Sequence, residues 1–516
     1  MNTTLRQFTA VWPLVIFLLL PALTRAETAV QAWVQHYDGP GQGFDEATAL
    51  AVDGSNSVVV AGVSWGGFNY ACATIKYSSA GVPLWTNRYN GPGISYQQGW
   101  AVVVDGDNNV IVAGSSADNY ATIKYSSEGV PLWTNRYKGP GNGTDGDAPS
   151  SLAVDGSNNV IVTGYSYGSG SSGDYATIKY SSAGVPLWTN RYNGLANSSD
   201  GATAVVVDGS NDVIVTGSSV GSGSDYDYAT IKYSSAGVPL WTNRYNGPGN
   251  YTDSAVAMAV DGSNNVIVTG RSYQSHSSFS HDYATIKYSS EGVPLWTNRY
   301  NGTGSGQDEA MAVAVDHSNN VIVTGRSSRT TGIPYNYDCA TIKYSSGGSP
   351  LWTNRYKGPL DLASGATALA VDGSDDVIVT GYSGSDYATI KYSSAGVPLW
   401  TNSYTNTAYP FAAVTADRNG NVIVAGSAMG NGYDFVTLKY ICVPSPVMTG
   451  HQQTNGTFQL RVDGVLQPGT LVIEASTNLT SWVPLFTNTT PTNVLFYAAP
   501  NADDSPTRFY RVFQFP

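Results

Sequence analysis

The feature that most constrains this chain is a short sequence motif that is repeated along most of its length. The sequence ATIKY, with one diverged copy VTLKY, occurs eight times at intervals of 48 to 56 residues. The copies begin at Ala73, Ala121, Ala176, Ala229, Ala284, Ala340, Ala388 and Val436. A repeat of this length, made of short alternating apolar runs, is typical of a β-propeller rather than a helical solenoid.

One repeat unit predicts four strands. In the fifth copy these cover residues 255–260, 265–270, 282–288 and 293–300, each rich in β-branched or aromatic residues and bounded by Gly, Ser and Asn. Alanine alternates along the first strand, which suits the crowded inner strand of a blade. The fourth strand opens with Pro, which cannot donate to a ladder and so protects an outer edge. The sequence therefore predicts an all-β fold with an eight-bladed propeller over residues 27–441.

A second word, PLWTNRY or PLWTNSY, follows the first seven copies of ATIKY, whereas the eighth copy lacks it. A weaker version, AWVQHY, carries Trp33 ahead of the first copy. We expect this N-terminal strand to complete the last blade as its outer edge and so to close the ring.

The two ends of the chain differ from the repeats. Residues 1–26 contain a basic residue, a short apolar run and small residues before Glu27, the pattern of a cleavable secretory signal peptide. The apolar run is shorter than the ~20 residues that span a bilayer, so we expect an exported soluble protein, secreted or at the cell surface, without a membrane span. Residues 442–449 are predicted as a linker and residues 450–516 as a small C-terminal β-sandwich.

The charge of the chain argues against some partners. The net charge is -12, and loss of Arg6 and Arg25 with the signal peptide makes it -14. An acidic chain is repelled by nucleic acid and by anionic lipid, and most of its Lys and Arg residues occupy repeat positions spread around the ring. We therefore predict no nucleic-acid partner and a monomer. The three cysteines do not form a disulfide framework, since Cys72 and Cys339 occupy blades far apart in the predicted ring.

Two connections in each repeat barely vary. The first strand ends in a turn such as DGSNN at Asp261, and the third and fourth strands are joined by SSAGVP or close variants. The fourth residue of the DGSNN turn is always Asn, Asp or Gly, which indicates a positive φ angle in a tight hairpin, where the side chain matters less than the backbone. No closing Glu of a calcium loop follows. We predict no metal ion and no cofactor.

The other two connections vary in every blade. Because strands in a meander alternate in direction, the fixed turns must share one face of the disc and the variable loops the other. We call these the base and the variable face. The loops hold Tyr, Ser, Gly, Asn, His and Arg, a mixture used by adaptable binding surfaces, although loops also drift where nothing constrains them.

The variable loops of the fifth and sixth copies are the richest in aromatic and cationic residues, and consecutive blades bring them close together. They predict a binding site for an extracellular glycan or protein, with an acidic or uronate-bearing sugar as first candidate. The predicted ligand-binding residues are Arg271, Tyr273, His276, Phe279, His281, Arg326, Arg329 and Tyr335.

Catalysis has weaker support in the sequence. The chain has five histidines and repeats no two-His metal spacing, and no nucleophile elbow is present. We therefore predict no catalytic residue and favour a binding or scaffold protein. Two alternatives stay open: a hydrolase or lyase acting on extracellular polysaccharides, which two carboxylates in one cleft of the variable face would support, and a structural surface or matrix protein.

The repeat words resemble the β-propeller repeat called SBBP, whose units combine an alanine-rich strand ending in Asp, a Gly-Asn turn, a V-x-V-x-G strand and an A-T-x-K-Y strand. The resemblance covers residues 32–440 and implies an exported bacterial propeller; it brings no catalytic residues, and the family is usually described as seven-bladed. The words EASTNLTSWVPL and RFYRV, beginning at Glu474 and Arg508, resemble a small β-sandwich module found on exported bacterial proteins. Its resemblance implies a role in attachment, export or sorting.

Overall fold

The structure is a computed structural model of the 516-residue chain. It describes residues 27–515 except 93–96, 142–145, 171, 224, 275–279, 305, 330–335, 359–361, 406–412, 431, 445–446, 453–457, 464–469, 477–480, 482, 490–493 and 500–508. The described residues contain no helix, so none of them belongs to a helix that could cross a membrane. The predicted signal peptide, residues 1–26, lies outside the described residues.

Eight four-stranded antiparallel sheets form the blades of a propeller, as the sequence predicts. Blades 1 to 4 consist of β2 (Asp45–Val52), β3 (Val58–Trp65), β4 (Tyr70–Tyr77) and β5 (Pro83–Tyr89); β6 (Gln97–Val104), β7 (Val110–Ser116), β8 (Asn119–Tyr125) and β9 (Pro131–Tyr137); β10 (Ala148–Val154), β11 (Val160–Tyr167), β12 (Gly173–Tyr180) and β13 (Pro186–Tyr192); and β14 (Asp200–Val207), β15 (Val213–Val220), β16 (Tyr226–Tyr233) and β17 (Pro239–Tyr245).

The other four blades repeat the same order. They consist of β18 (Asp253–Val260), β19 (Val266–Tyr273), β20 (His281–Tyr288) and β21 (Pro294–Tyr300); β22 (Asp308–Val315), β23 (Val321–Ser328), β24 (Tyr337–Tyr344) and β25 (Pro350–Tyr356); β26 (Ser364–Val371), β27 (Val377–Ser383), β28 (Asp386–Tyr392) and β29 (Pro398–Tyr404); and β30 (Ala413–Ala416), β31 (Val422–Met429), β32 (Tyr433–Pro444) and β1 (Glu27–Tyr37).

The N-terminal strand closes the ring, as predicted. Strand β1 pairs antiparallel with β32, and Trp33 lies opposite Lys439. Blade 8 then packs on blade 1, where Ile423 and Phe435 share an apolar cluster with Val58 and Ile75. The first strands of neighbouring blades contact one another all the way around, so they are the innermost strands. The prediction that small alanines mark the inner strand is therefore confirmed.

The apolar core lies between blades rather than at the centre of the disc. The V-I-V segments of the second strands are buried, because each blade covers one face of its neighbour. Between blades 4 and 5, for example, Ile214 and Tyr228 pack against Val266, Val268 and Ile286. Full burial of one such aliphatic side chain stabilises the fold by roughly 1.5 to 3 kcal/mol.

A buried ion pair recurs in every blade near the base. The lysine of the ATIKY word lies 2.7 to 2.8 Å from the aspartate that ends the first strand, as in Lys287 with Asp261. The aspartate also caps its turn, because Asp261 accepts from the backbone N–H groups of Ser263 and Asn265. In seven blades the lysine also donates to a Ser carbonyl in the next blade, at 3.0 to 3.3 Å. The lysine thus ties its own blade to its neighbour.

The DGSNN turns have the expected left-handed residue. Asn56, Asn108, Asn158, Asn211, Asn264, Asn319 and Asp375 have φ of 61° to 63°, and Gly420 has φ of 76°. The view that the side chain matters less here is wrong, because Asn264 Oδ1 accepts from the N–H of Gly209 in the preceding blade at 2.9 Å. Equivalent bonds join seven of the eight blade junctions. Side-chain hydrogen bonds therefore join adjacent blades at the base, in addition to the turn geometry within each blade.

The C-terminal residues form two three-stranded sheets. One sheet contains β33 (Val447–Gln452), β34 (Phe458–Asp463) and β37 (Val494–Ala499), and the other contains β36 (Val483–Asn488), β35 (Thr470–Ser476) and β38 (Phe509–Phe515). Leu460 and Val462 of one sheet share an apolar cluster with Leu471 and Ile473 of the other, as in a small sandwich. Within the predicted linker 442–449, β32 continues to Pro444 and β33 begins at Val447.

Candidate binding site at the mouth of the ring

One position per blade recurs around the ring near the variable-face end of the second strand. It is the residue after the glycine of the second strand, and the strand register makes the positions equivalent. We call this set the mouth ring: Val63, Ser115, Tyr165, Ser218, Arg271, Arg326, Tyr382 and Ser427. The set is asymmetric, since blades 5 and 6 supply arginines and blades 3 and 7 supply tyrosines. Val63 and Ser427 are buried, so a ligand would meet the other six positions, which differ in chemistry from side to side.

The two arginines of the mouth ring meet on one carboxylate. Glu309, on the inner strand of blade 6, is 7% exposed. Its Oε1 lies 3.0 Å from Arg271 Nη1 of blade 5, and its Oε2 accepts from Arg326 Nε at 3.0 Å and Nη2 at 2.6 Å. The side chains of Arg271 and Arg326 are 34% and 36% exposed. Glu309 thus holds both guanidinium groups in place while each keeps a face toward solvent.

Aromatic rings complete the setting of Arg326. Its Cζ lies 5.1 Å from the ring centroid of Tyr337, within the range of a cation–π contact. Burial lowers the pKa of Arg326, but the Glu309 charge and hydrogen bonds, together with Tyr382 and Tyr337, outweigh burial, so the net shift is upward. The Tyr382 hydroxyl also hydrogen-bonds with Arg326, and burial raises the pKa of Tyr382. Both groups therefore keep their neutral-pH forms, a cation beside a protonated phenol.

The cluster has hydrogen-bonding capacity left over. Two arginines and one glutamate give a net charge of about +1, because Arg and Glu are both charged at neutral pH. Arg271 Nε is buried and finds no acceptor among the described residues. Arg271 bonds Glu309 through Nη1, and its side chain stays about one-third exposed, so solvent-facing donors remain for a ligand oxygen. In a chain of net charge -12, this position favours an anion.

Aromatic side chains continue around the mouth. Tyr165 and Trp100 are exposed by 40% and 42%. The Trp100 indole N–H donates to Ser115 Oγ at 3.1 Å, which fixes its orientation. At Gly365 an added Cβ would lie 2.7 to 2.8 Å from the Tyr382 ring, so the missing side chain makes room for that ring. Exposed rings with fixed orientations are suited to stacking against sugars.

Other predicted residues have different settings. Arg329 forms an ion pair with Asp338 and donates from Nη2 to the Leu362 carbonyl at 2.8 Å, which links blades 6 and 7. His281 is 2% exposed and contacts the Tyr273 ring at a centroid distance of 5.0 Å. Tyr273 also packs edge-on against Tyr251 at 5.3 Å. These contacts indicate supporting roles for Arg329 and His281.

Of the eight predicted residues, the structure brings Arg271 and Arg326 together on Glu309 and Tyr273 and His281 into contact with each other. Three of the remaining residues, His276, Phe279 and Tyr335, lie outside the described residues. Ligand binding by the predicted set stays a prediction.

Sequence reasoning missed Glu309, Tyr337 and Tyr382, because it searched the loops rather than the strands. A signal was present in the repeat itself. Where Glu309 stands, neighbouring blades have Ser254 or Gly365. Blades 1 and 2 have Glu46 and Gln98 at this position, so the signal is the combination of Glu309 with an arginine on its own second strand and another on that of the preceding blade.

A group of carboxylates lies elsewhere on the variable face, where blade 8 meets blade 1. The side-chain oxygens of Asp38, Asp45 and Asp434 lie within 4.8 Å of one another. Asp45 is fully buried and accepts from the N–H groups of Gly39 and Trp65 at 2.9 and 3.1 Å, so it anchors a connection. Burial raises the pKa of Asp45, although its hydrogen bonds lower it. The pKa of Asp434 is also raised, first by burial and then by the charges of Asp38 and Asp45. Because Asp200 accepts equivalent bonds in blade 4, the role of Asp45 belongs to the repeat.

Known proteins resemble this chain in three-dimensional structure but not in sequence. No family model matches the chain. No curated protein matches it either. Among solved structures, Sqt1 from Chaetomium thermophilum aligns over 80% of this chain and 99% of its own, with 9% identity and a TM-score of 0.49. A protein from Lactobacillus plantarum aligns over 60% of this chain and 84% of its own, with 14% identity and a TM-score of 0.41.

Proposed function

We propose that this protein is an exported binding or scaffold protein of the SBBP propeller type, which holds an anionic extracellular glycan at the mouth ring. The observation that carries the proposal is the convergence of Arg271 and Arg326 on the buried Glu309. A structural ion pair needs one arginine, whereas here a second arginine shares the carboxylate and both guanidinium side chains stay about one-third exposed. A uronate carboxylate supplies the oxygens that this arrangement lacks.

The neighbouring rings support a sugar rather than a small inorganic anion. Tyr382 hydrogen-bonds with Arg326. Tyr165 and Trp100 lie on blades 3 and 2, across the ring from the arginines, where a longer oligosaccharide would reach them. Aromatic faces provide apolar contact for the C–H groups of a pyranose, while the arginines bind its carboxylate. Export through the signal peptide would bring this surface to extracellular polymers, and the C-terminal module would attach or sort the protein.

A glycan array probed with the mature chain, from Glu27 onward, tests the proposal. We expect signals on uronate-containing glycans to exceed those on matched neutral glycans and to weaken with added salt. The informative variant is Arg271→Ser/Glu309→Gln/Arg326→Ser, here called the mouth variant. Its new residues are those of other blades at the same positions, namely Ser218 for the arginines and Gln98 for the glutamate. This choice removes both cations without leaving a buried charge unpaired.

The outcome separates the three interpretations of function. Binding lost in the mouth variant supports the proposal, and binding unchanged in that variant places the ligand elsewhere. Shortening of a bound polymer during incubation would support the hydrolase or lyase alternative. Absence of binding to every glycan would contradict the glycan proposal and favour a protein partner or a structural role.

A further inference from the structure

The base of the propeller is nearly uniform, but blade 8 breaks the pattern. The residue after the turn aspartate is glycine in six blades, His317 in blade 6 and Arg418 in blade 8. On the inner strand, Thr415 of blade 8 replaces an alanine or valine of the other blades. Arg418 and Thr415 line the same place, so the base contains a site that differs from the rest of the ring.

That place is a cavity of about 320 Å³ at the inner ends of blades 8, 1 and 2. Its walls include Val52 and Val104 at the ends of two inner strands, together with Thr415, Asn108 and Arg418. This volume lies at the small end of ligand pockets, which span about 300 to 1,000 Å³. The cavity is therefore large enough for a single small molecule.

The carboxylates that line the cavity are already neutralised. Asp53 pairs with Lys76 at 2.8 Å, and Asp105 pairs with Lys124 at 2.7 Å; all four side chains are almost fully buried. They belong to the repeated ion pairs of the base. Consequently they contribute no net charge that would repel an anion.

The cation of Arg418 has no such partner. Its backbone N–H donates to Asn56 Oδ1 at 3.2 Å across the junction between blades 8 and 1. Its guanidinium lies over Gly54, where an added Cβ would be 3.2 Å from Nη2. Within the described part of the chain, the guanidinium forms no ion pair or hydrogen bond. Its planar fork of N–H donors matches a carboxylate.

Two further donors flank this guanidinium. Asn108 Oδ1 accepts from Gly54 N at 2.7 Å, which directs the amide group into this region, and the Asn108 amide nitrogen donates to no described residue. In blade 3 the equivalent amide nitrogen of Asn158 is used, since it donates to Asp107 at 3.0 Å. The hydroxyl of Thr415 likewise has no hydrogen bond to a described residue.

We propose that this cavity binds a small organic monocarboxylate, with its carboxylate on Arg418 and its polar groups on Asn108 and Thr415. A singly charged ligand fits because the wall supplies one unpaired cation. A sugar acid of one ring is the ligand class of suitable size and polarity. This site is on the opposite face from the mouth ring and does not depend on it.

The test is a calorimetric titration of the mature mouth variant with D-glucuronate, D-glucose and inorganic phosphate. This background excludes binding at the mouth ring. The informative substitution is Arg418→Gly, and the matched control is His317→Gly, because both restore the glycine that six blades carry at this turn. The unfolding midpoint of each variant shows whether the fold is retained.

We expect glucuronate, and not glucose, to bind the His317→Gly protein as tightly as the parent. Arg418→Gly should weaken glucuronate binding at least about tenfold, since it removes a charged hydrogen-bonded contact. Equal binding after Arg418→Gly would overturn the proposal. So would the absence of glucuronate binding to the parent, or binding of phosphate in preference to glucuronate. The glycan proposal is tested separately, by comparing glycan binding of the mouth variant with that of the unsubstituted protein. A failure of one proposal can therefore be told from a failure of the other.

Discussion

The Nζ atom of Lys391 lies 2.8 Å from Oε1 of Glu27, although 364 residues separate them in the chain. In the other blades the equivalent lysine donates to a Ser carbonyl of the turn before the next outer strand. Blade 8 has no such turn, because its outer strand comes from the N-terminus. The Glu27 carboxylate takes the place of that carbonyl and joins Asp372 around the lysine. The closing strand is therefore locked by charge as well as by its ladder.

Removal of the closing strand should destabilise the propeller far more than removal of the C-terminal module. Deletion of residues 27–40 exposes an edge of β32 and leaves Lys391 without Glu27. Deletion of 450–516 removes no strand of the eight blades. Urea unfolding of both deletions, followed by tryptophan fluorescence, measures the difference. Equal midpoints for the two deletions would contradict the role assigned to β1.

The repeated lysine should be essential to its blade. Lys287→Met leaves the Asp261 carboxylate buried without its cation, since the pair is 2.7 Å apart and almost fully buried. Breaking one side of a buried pair typically costs about 3 to 5 kcal/mol of unfolding free energy. The control is Lys138→Met, which removes a lysine from an exposed position. A loss no larger than that of the control would show that the pair does not stabilise the blade.

The turn asparagine offers a way to separate backbone and side-chain effects. Asn264 has φ of 61° and accepts a hydrogen bond from Gly209 in the neighbouring blade. Asn264→Gly keeps the backbone relaxed but loses the bond, so we expect a loss of about 0.5 to 1.5 kcal/mol in unfolding free energy. Asn264→Ala should cost about 1 kcal/mol more, because it also strains the left-handed conformation. If the glycine variant were as stable as the parent, the side-chain bond would contribute nothing.

Two aspartates of blade 5 should act oppositely on stability as pH changes. Burial raises the pKa of Asp261, but Lys287 and Asn265 outweigh it, so the folded-state pKa is below 3.8. Its contribution to stability is full above pH 3.8 and is lost as the pH falls through the folded pKa. For Asp253 burial is the largest effect and raises the folded pKa above 3.8, against hydrogen bonds from Gly247 and Ser272. Its contribution is full below pH 3.8 and is lost as the pH rises through the raised pKa.

Urea midpoints of Asp261→Asn and Asp253→Asn, measured from about pH 3 to pH 6, test this sign. The stability gap between the parent and Asp261→Asn should shrink as the pH falls. As the pH falls over the same range, the parent should gain stability relative to Asp253→Asn. Parallel curves for the two variants would contradict the assigned directions.

The architecture was predictable because it follows from local rules repeated eight times. The Ala-rich inner strand, the Pro at the outer edge and the isolated Trp33 word each predicted a strand's position, and the structure has all three. The ion pair of Lys287 with Asp261 was missed, although both residues recur in every repeat at the base ends of strands. Residues that recur together at one end of a blade point to a contact that sequence separation hides.

The candidate site was predictable only in part, because it depends on where repeats differ. Arg271 and Arg326 stood out by charge, but their contact with Glu309 depends on how adjacent blades pack. The loop search also favoured His281, which the structure buries beneath the variable face. Arg418 was overlooked because the base turns were treated as identical. In a repeat fold, departures from the consensus carry more information about function than the consensus does.

The most direct test of the binding proposal is the affinity of the mature protein for a uronate oligosaccharide that scores on the array. We predict that the mouth variant loses about 1 to 3 kcal/mol of binding free energy for each arginine contact removed, with an unchanged unfolding midpoint. His281 is left intact because it is buried. An equal affinity of the parent and a folded mouth variant for that oligosaccharide would contradict the claim that the mouth ring binds it.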